Sequence, residues 1–518
     1  MIRNTIYIVA KKRDNQKIFY LGLYLVLLIF VLALISFKGA NFVLKDKLFL
    51  SEDEFQYYEY SIYNYYRIFD RAMLFEPFSS FNHKCPMIYL TTSFFYLFLP
   101  IQTDVVFATN LLYLIFIFIA LSILEYKLKG DFKKGIYSPF IFLLIQYWLK
   151  FASRYYFPQI AVAFFFILLL IVCKAYNKKY FPLAMGTIIG LGMLSHITYV
   201  VFLFIPAVFS FKACFKEFGL KKTVLKFIFI GCIAGVVCGW WYIPNFKPVV
   251  DTYLGNVLGS QVIENEDMST IFSLEHFLFY VGIFYERLPK AILFVFIIIS
   301  IFSFSDSKRY KEVNFITLSF LFPFAIFSLF IFRREINYLL PAIPLIPLSI
   351  SLFFGEISNN NKKLFFTVFF AILAIVSVLF TYNWLEKYNF FDNPDAEIKK
   401  LVYEEQPKAV FLYSFYPRLY FNIRQLQIVD KMKINLKDCI FNIKDIEECS
   451  DNINSSIIFI SPGISCQKSN ILRIDRNCDR HHEYKDYFYK YYSNSALIGN
   501  FSIRDWTGNI TVLAYRVP

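Results

Sequence analysis

Long runs of apolar residues, separated by short polar segments, fill most of this chain up to residue 381. Residues 18–37 read IFYLGLYLVLLIFVLALISF, which reaches the roughly 20 residues that a helix needs to cross a bilayer. The runs are continuous and do not alternate over about ten residues, so they predict transmembrane helices and not an outer-membrane barrel. Eleven spans are predicted, at 18–37, 105–124, 136–149, 158–173, 181–195, 197–211, 223–243, 289–305, 314–332, 336–354 and 363–381.

One further apolar stretch, residues 87–100, is short and ends at Pro100. If it does not span, all the basic loops lie on the cytoplasmic side, as the positive-inside rule requires; if it spans, only the first does. We therefore predict an interfacial or re-entrant piece on the outer face, with the N-terminus inside and the C-terminus outside. The basic segments are 11–17, 125–135, 174–179, 211–222, 305–312 and 359–363.

Beyond residue 381 the pattern changes to short apolar runs between polar turns. These runs read KAVFLYSF, SSIIFISPG and NITVLAYRV, and they predict a small α/β or β-rich soluble domain. We expect a transmembrane catalytic module over residues 1–381, with a large first outer loop at 38–104, and an extracytoplasmic domain over 382–518. The predicted fold class is a polytopic α-helical membrane protein with a small C-terminal α/β domain.

Composition and charge agree with a multi-pass protein of the plasma (inner) membrane. The 518 residues are 57% hydrophobic and 21% aromatic, which is too apolar for a soluble protein of this length. The net charge of +14 comes from Lys and Arg in short loops, where it sets orientation, so nucleic acid is not an expected partner. A long first run without a cleavage site predicts a retained helix and not a signal peptide.

The cysteines predict disulfides only in the C-terminal domain. Of the nine, the chain places four in the polar tail, where an extracytoplasmic location favours one or two bridges whose pairing cannot be read from sequence. No C-x-x-C pair occurs, so a zinc site is not expected. The four tail residues are Cys439, Cys449, Cys466 and Cys478.

Three acids stand together at the start of the first outer loop, where residues 51–66 read SEDEFQYYEYSIYNYY. Ser51 and Glu54 have the S-x-x-E spacing of a capping box, so one interpretation is the start of an amphipathic helix. The other interpretation is a catalytic carboxylate. The two are compatible, because a cap would fix the backbone that presents Asp53.

Five stretches on the predicted outer face carry motifs. They are the acidic pair Asp53-Glu54, NHKCPMIYL from residue 82, GTIIGLGMLSHITYVVFLFIP from 186, CGWWYIPN from 238 and RREINYLLPAIPLIPL from 333. In this order they resemble the GT-C glycosyltransferases, in the branch of the lipid A aminoarabinose transferases and protein O-mannosyltransferases. The family elements read K-P-P-L-x-Y-W, G-L-x-x-L-x-K, P-W-Y and R-Y-x-L-P-x-x-P. The segments that carry this resemblance are scattered between residues 18 and 355.

The resemblance implies a reaction. A sugar linked to a polyprenyl phosphate is transferred to an acceptor hydroxyl on the outer face, with inversion. This chemistry needs a carboxylate to take the acceptor's proton. It also needs cationic groups to stabilise the departing phosphate, and an apolar groove for the lipid tail.

The catalytic and phosphate-binding residues follow from the matched motifs. Asp53 matches the acid after the first span and is the predicted base, while Glu54 either assists it or caps the helix. Lys84 aligns with the motif lysine that lies near the lipid phosphate in relatives; the alternative is an interfacial lysine. Cys85 replaces the first motif proline, so the loop geometry is expected to differ.

The turn before the tenth predicted apolar segment supplies further phosphate ligands. Arginine binds phosphate in a bidentate manner, and two outward arginines run against the positive-inside rule, so Arg333 and Arg334 are predicted ligands. Their alternative role is a membrane anchor. Tyr338 occupies the tyrosine position of the motif, and Asn337 stands where relatives often have arginine.

Five other residues are predicted to bind substrate. His196 stands where relatives have lysine, and Gln159 where they often have an acid, so the details of sugar recognition are expected to differ. Each candidate also has a plain structural interpretation, as polar surface, an interfacial aromatic belt or a turn residue. The five are Tyr57, His83, Arg154, Tyr155 and His196.

The sequence thus predicts an integral membrane glycosyltransferase with an envelope glycan or glycolipid as acceptor, of O-antigen or lipid A type. Protein hydroxyls remain an open alternative, and membrane lipid is an expected partner. A transporter or flippase would carry ionisable residues within its spans and broken helices. An O-antigen polymerase would lack the acidic pair after the first span. No cofactor is assigned and no metal ligands are evident, although a divalent metal stays open.

Overall fold

The computed structural model describes a chain of two compact units. Residues Met1–Lys45 with Tyr63–Leu385 form one unit, and Asp46–Ile62 with Glu386–Pro518 form the other. The described residues are 2–45, 52–69, 84–101, 103–130, 135–154, 156–258, 274–330, 336–357, 360–387, 395–413, 423, 426–427, 432–438, 455–460, 495–505 and 508–517.

Helices make up nearly all of the described first unit. Two short 3₁₀ turns, Ile336–Tyr338 and Leu340–Ala342, precede α13. The α-helices are α1 (Ile2–Lys45), α2 (Glu52–Phe69), α3 (Met87–Phe95), α4 (Thr103–Lys129), α5 (Ser138–Leu143), α6 (Gln146–Arg154), α7 (Gln159–Cys173), α8 (Phe181–Ser195), α9 (Tyr199–Leu258), α10 (Leu274–Arg287), α11 (Lys290–Ser305), α12 (Lys311–Phe330), α13 (Leu345–Ile357), α14 (Asn360–Lys387) and, in the second unit, α15 (Asp395–Glu405).

The described helices form a polytopic membrane protein, as predicted, and each predicted span overlaps helical residues. Four shorter apolar helices accompany the long ones, within α7, α8, α11 and the segment Leu340–Glu356. By contrast, α3 has nine residues. At 1.5 Å per residue it is about 14 Å long, too short to cross a bilayer. The segments long and apolar enough to span are Leu21–Phe42, Asp104–Lys129, Tyr199–Asp251, Lys311–Leu329 and Phe365–Leu385.

The predicted span 136–149 was wrong as a single helix, because the chain breaks between α5 and α6. Tight turns satisfy the amides there: Leu144 N donates to Ile141 O at 3.1 Å, and Ile145 N donates to Phe142 O at 3.0 Å. Ser377 Oγ of α14 donates to the carbonyl of Leu143 at 2.8 Å. Since lipid offers no hydrogen bonds, a break in an apolar region requires such partners.

The described residues that follow the predicted span at 223–243 are helical: α9 continues to Leu258, and α10 begins at Leu274. Pro244 and Pro248 lie inside α9. The same helix joins two predicted spans across a kink at Gly219, whose φ of 74° and ψ of 171° are not helical. Glycine adopts this φ without steric cost, so the turn between the two spans depends on it.

A small-residue motif packs α8 closely against α9. Gly186 and Gly190 are four residues apart and lie on one face of α8. A Cβ on Gly186 would meet Ile233 Cβ at 2.7 Å, and one on Gly190 would meet Val237 Cβ at 2.6 Å. The two backbones therefore approach at a distance that only glycine permits, as in other G-x-x-x-G contacts between membrane helices.

A buried ion pair fastens α4 to α13. The Glu125 and Lys129 side chains are 0% and 1% exposed and form an ion pair. Lys129 Nζ also donates to Gly135 O at 2.7 Å and to Ser351 Oγ of α13 at 3.1 Å. Glu125 accepts from Ser351 Oγ and, at 2.8 Å, from Ser138 N at the start of α5. Both charges are thus compensated, which burial requires.

The second unit contains a five-stranded sheet of order β2-β1-β3-β5-β4. Strand β1 pairs in parallel with β2 and β3, while β5 pairs antiparallel with β3 and β4. Helix α15 contributes Ile398 and Val402 to its buried core. The small C-terminal α/β fold is as predicted. The strands are β1 (Ala409–Tyr413), β2 (Asn435–Asp438), β3 (Ser456–Ile460), β4 (Ala496–Asp505) and β5 (Gly508–Val517).

Candidate functional site

Lys84 lies at the entrance to α3, 5% exposed. Its carbonyl accepts a hydrogen bond from the Tyr89 hydroxyl at 3.3 Å. The next residue, Cys85, lies 3.5 Å from the Tyr242 hydroxyl of α9, which itself donates to Met193 O of α8 at 2.8 Å. A tyrosine has one hydroxyl proton, so the Cys85 thiol is the donor in its contact. These bonds hold the Lys84 backbone against the end of the α8–α9 hairpin.

Burial keeps the Cys85 thiol protonated. Removal from water raises the pKa of Cys85 to about 12, because the thiolate loses its hydration. A thiol with so high a pKa is not a nucleophile at neutral pH. Cys85, which replaces a motif proline, therefore serves packing between α3 and α9 and not covalent chemistry.

Hydroxyl contacts anchor α3 from its other side. Thr92 Oγ1 lies 2.6 Å from the Tyr156 hydroxyl and 3.1 Å from Thr109 Oγ1 of α4. All three residues are buried. Because Tyr156 also donates to Ile88 O at 3.3 Å, α3 is fixed at both ends of its buried face. The position of Lys84 at its start is fixed with it.

His196 ends α8 at the tip of the hairpin and is 8% exposed. Its Nδ1 accepts the backbone N–H of Thr198 at 3.3 Å and lies 2.8 Å from Thr198 Oγ1. Burial, followed by the positive charge of Lys84, lowers the pKa of His196 to about 4. The imidazole is therefore neutral at physiological pH, and Lys84 supplies the charge.

Tyr338 completes what we call the Lys84 cluster, formed by Lys84, His196 and Tyr338. The Tyr338 and His196 ring centroids are 6.1 Å apart. On its other side, Tyr338 stacks on Phe327 of α12 with centroids 5.7 Å apart and an interplanar angle of 23°. Three residues predicted from three separate motifs are thus linked: the Lys84 charge acts on the neutral His196 imidazole, and the Tyr338 phenol ring lies beside that imidazole.

The depressed His196 pKa makes stability depend on pH. Below pH 6.5 His196 of the unfolded chain binds a proton, whereas His196 of the folded protein binds it only below about pH 4. This contribution is complete above pH 6.5 and falls by about 3 kcal/mol as the pH drops to 4. His196→Gln should therefore lose less thermal stability in detergent than wild type between pH 7.5 and 4.5. Equal losses in the two proteins would contradict the assignment.

The other predicted site residues are placed only in part. Asp53 and Glu54 lie in the first turn of α2, which begins at Glu52, but their side chains are outside the described residues, as is that of Arg154 at the end of α6. Tyr57, on α2, is 5% exposed. The residues wholly outside the described ones are His83, Tyr155, Arg333, Arg334 and the tail cysteines Cys439, Cys449, Cys466 and Cys478.

The sequence did not predict the role of Tyr242, whose hydroxyl contacts both Cys85, before α3, and Met193 of α8. The signal was present in the motif CGWWYIPN, whose tyrosine was noted without a role. Phe327, which backs Tyr338, gave no signal because it lies in an apolar span. Among the described residues, no group of three or more His, Cys, Asp or Glu side chains is arranged to hold a metal ion.

Comparison with known proteins identifies the architecture. No protein-family model and no curated protein sequence matches the chain. Solved structures do: ArnT from Cupriavidus metallidurans in the apo state aligns with a TM-score of 0.56 at 10% identity, covering 97% of this chain and 98% of that one. ArnT bound to undecaprenyl phosphate aligns with a TM-score of 0.54 at 10% identity, covering 96% and 98%.

The chain has the ArnT fold. The likeness extends over both units and confirms, at the level of fold, the resemblance to GT-C transferases. It also confirms the predicted fold class of a polytopic GT-C-like membrane protein with a small C-terminal sheet. At 10% identity the ArnT fold carries no assignment of residues, so roles depend on the geometry of the Lys84 cluster.

Proposed function

We propose that the protein is an integral membrane glycosyltransferase. It moves a sugar from a polyprenyl-phosphate donor to a hydroxyl of an envelope glycan or glycolipid, on the outer face of the membrane and with inversion. Undecaprenyl phosphate, bound by an ArnT of the same fold, is the lipid we expect here. The glycan or glycolipid acceptor, of O-antigen or lipid A type, is part of the proposal.

The Lys84 cluster is the observation that carries this proposal. Lys84 is buried and its charge acts on the neutral His196 imidazole, and the Tyr338 ring lies beside that imidazole. Such a set suits a phosphate, which is anionic and accepts hydrogen bonds on every oxygen. The set comes from three motifs that family resemblance associates with the donor phosphate or the sugar.

The chemistry explains why a cation is useful at this point. The bond from the sugar anomeric carbon to the phosphate oxygen breaks, and a bond to the acceptor oxygen forms. The donor phosphodiester has one negative charge, and the departing polyprenyl phosphate gains a second. Because negative charge grows during the step, the Lys84 ammonium stabilises the transition state more than the bound donor.

The remaining roles are proposed from family resemblance. Asp53 takes the acceptor's proton, assisted by Glu54, and the base lies on α2. Arg333 and Arg334 bind the donor phosphate with Lys84 and Tyr338. The residues proposed to bind substrate are Tyr57, His83, Arg154, Tyr155 and His196.

The domain roles and orientation are likewise proposed. Residues 1–381 form the catalytic module and 382–518 the extracytoplasmic domain, in the plasma (inner) membrane. The basic loops face the cytoplasm. Fold likeness and apolar helices support a multi-pass membrane protein, and charge distribution supports the orientation.

Two features could have favoured a transporter, and neither does. The α5–α6 break is a site for ion binding only if it leaves backbone groups unpaired, whereas the Leu143 carbonyl accepts from Ser377. The ionisable pair Glu125–Lys129 is compensated by its own hydrogen bonds and buried on all sides. Both features therefore support a structural role and not a transport pathway.

Lys84→Met tests the proposal. Loss of a charge-assisted contact worth about 1.5–3 kcal/mol should weaken undecaprenyl phosphate binding roughly 10- to 150-fold, because the phosphate loses its cation. The measurement is the dissociation constant of undecaprenyl phosphate for purified protein in detergent. Transfer from a panel of polyprenyl-phosphate sugars is followed in parallel.

Lys221→Met is the matched control. It removes the same charge from an exposed position after the Gly219 kink, and its affinity should equal that of wild type. A wild-type protein that binds no undecaprenyl phosphate, or a Lys84→Met variant that binds it normally, would overturn the proposed function.

A further inference from the structure

The Tyr242 hydroxyl connects three parts of the first unit. Tyr242 belongs to α9, and its hydroxyl donates a hydrogen bond to the Met193 carbonyl of α8 at 2.8 Å. The same oxygen lies 3.5 Å from the thiol of Cys85, which follows Lys84 directly in the chain. One side chain thus connects the segment that carries Lys84 to both helices of the α8–α9 hairpin.

The bond to Met193 has a physical reason. Because α8 ends at Ser195, the Met193 carbonyl is one of the last four of the helix, which have no amide partner within it. A carbonyl left unpaired away from water costs about as much as a lost hydrogen bond. Tyr242 therefore satisfies a helix end, and its proton is committed to that bond.

Packing fixes the ring that carries this hydroxyl. The Tyr242 ring lies edge-on to that of Trp241, with centroids 4.8 Å apart and an interplanar angle of 88°. Cys85, Leu194, Trp241 and Val249 form one buried apolar cluster, against which Tyr242 packs. The place of the hydroxyl beside the Cys85 thiol is therefore set by the packing of α8 and α9.

We propose that Tyr242 is a positioning residue for Lys84, acting through Cys85 and not by contact with substrate. A shift of the Cys85 thiol moves the lysine, because the two residues share one peptide bond. The inference rests on the proposed function and deepens it, since it adds a residue that determines where the cation meets the departing phosphate.

A lysine at such a site requires support from its backbone. Its flexible four-carbon stem lets the ammonium take several positions, and a misplacement of about 1 Å can cost a large factor in rate. The Tyr89 hydroxyl, which bonds the Lys84 carbonyl at 3.3 Å, fixes Lys84 relative to α3. Tyr242 fixes the same segment relative to α8 and α9, where His196 lies.

A double-mutant cycle tests this role. Tyr242→Phe keeps the ring and removes the hydroxyl, so it should bind undecaprenyl phosphate roughly three- to tenfold more weakly, which corresponds to one hydrogen bond. In the Lys84→Met background the same change should not weaken binding further, because no ammonium remains to be positioned. The measurement is the dissociation constant of undecaprenyl phosphate for the four purified proteins in detergent.

Tyr199→Phe is the matched control. Tyr199 also belongs to α9, and its hydroxyl donates to a helix carbonyl, Phe165 O of α7, at 3.1 Å. Its loss should lower the midpoint of thermal unfolding about as much as Tyr242→Phe does. Affinity should equal that of wild type, because this bond does not reach the segment that carries Lys84.

Substitutions at Cys85 test the route to Lys84. Cys85→Ala removes the group that contacts the Tyr242 hydroxyl and should weaken binding as Tyr242→Phe does. Cys85→Ser keeps a donor of similar size, so its affinity should return to within roughly threefold of wild type. Equal affinities in the alanine and serine variants would show that the thiol contact does not position Lys84.

Full affinity in Tyr242→Phe would overturn the inference. An equal loss from Tyr242→Phe in the wild-type and Lys84→Met backgrounds would also overturn it, because the hydroxyl would then act on the fold and not through Lys84. Either result leaves the proposed function standing if Lys84→Met binds more weakly than wild type. Absence of binding by wild type rejects both.

Discussion

Asp53→Asn is expected to lower transfer from a polyprenyl-phosphate sugar by roughly 10²- to 10⁴-fold, which is the usual contribution of a general base. The amide keeps the size of the side chain and removes its ability to take the acceptor's proton. Folding and membrane insertion should not change, because the residue lies in the first turn of α2, where an amide is tolerated. Turnover of purified protein in detergent is the measurement.

The neighbouring acids supply matched controls. Glu52→Gln removes a charge one residue away and should leave turnover within about twofold, since Glu52 lies outside the acidic pair that the resemblance matches. Glu54→Gln keeps a side chain that can fill the capping box, so any loss of turnover in that variant reports assistance to the base. Normal turnover in Asp53→Asn would contradict the assignment of Asp53 as the base.

Glu125→Gln is expected to destabilise the first unit by about 3–5 kcal/mol, because it leaves the Lys129 ammonium buried without its counter-charge. The Ser351 and Gly135 oxygens remain as partners, but they are dipoles and not charges. The thermal unfolding midpoint in detergent should fall well below that of wild type. Transfer activity measured below that midpoint should stay close to normal.

The double variant Glu125→Gln with Lys129→Met is the control. It removes both charges at once, so no uncompensated ion remains, and much of the lost stability should return. If the double variant is as unstable as Glu125→Gln alone, packing and not charge compensation explains the loss. A single variant with an unchanged midpoint would show that the pair contributes nothing.

Much of the helical framework could be read from the sequence because each apolar run is a local signal. The runs that became α4, α7 and α8 are long, continuous and bounded by basic or polar residues, so no tertiary information was needed. The α5–α6 break was different. It depends on Ser377, which lies far away in the chain and binds the Leu143 carbonyl only after α14 has packed.

The strands of the second unit show the same division. β1 and β3 are short apolar runs and were predicted as strands. β2 reads NLKD and contains a single apolar residue. It forms because its backbone pairs in parallel with β1. β4 contains Gly499 next to a register irregularity, which interrupts the alternation that identifies a strand.

The candidate site was predicted residue by residue but not as an arrangement. Lys84, His196 and Tyr338 each came from a motif, and nothing in their spacing states that they meet. The contact requires α3, the α8–α9 hairpin and the 3₁₀ turns to come together, which is decided by packing.

The contact of Gly186 and Gly190 with α9 also determines where the C-terminal end of α8 lies. The two glycines contact α9 near the middle of α8, and His196 follows the C-terminal end of that helix. A methyl group added at either glycine would separate α8 from α9. The C-terminal end of α8, which carries His196, would then move away from Lys84 and Tyr338. The position of the His196 ring would thus depend on two glycines that are not themselves predicted site residues.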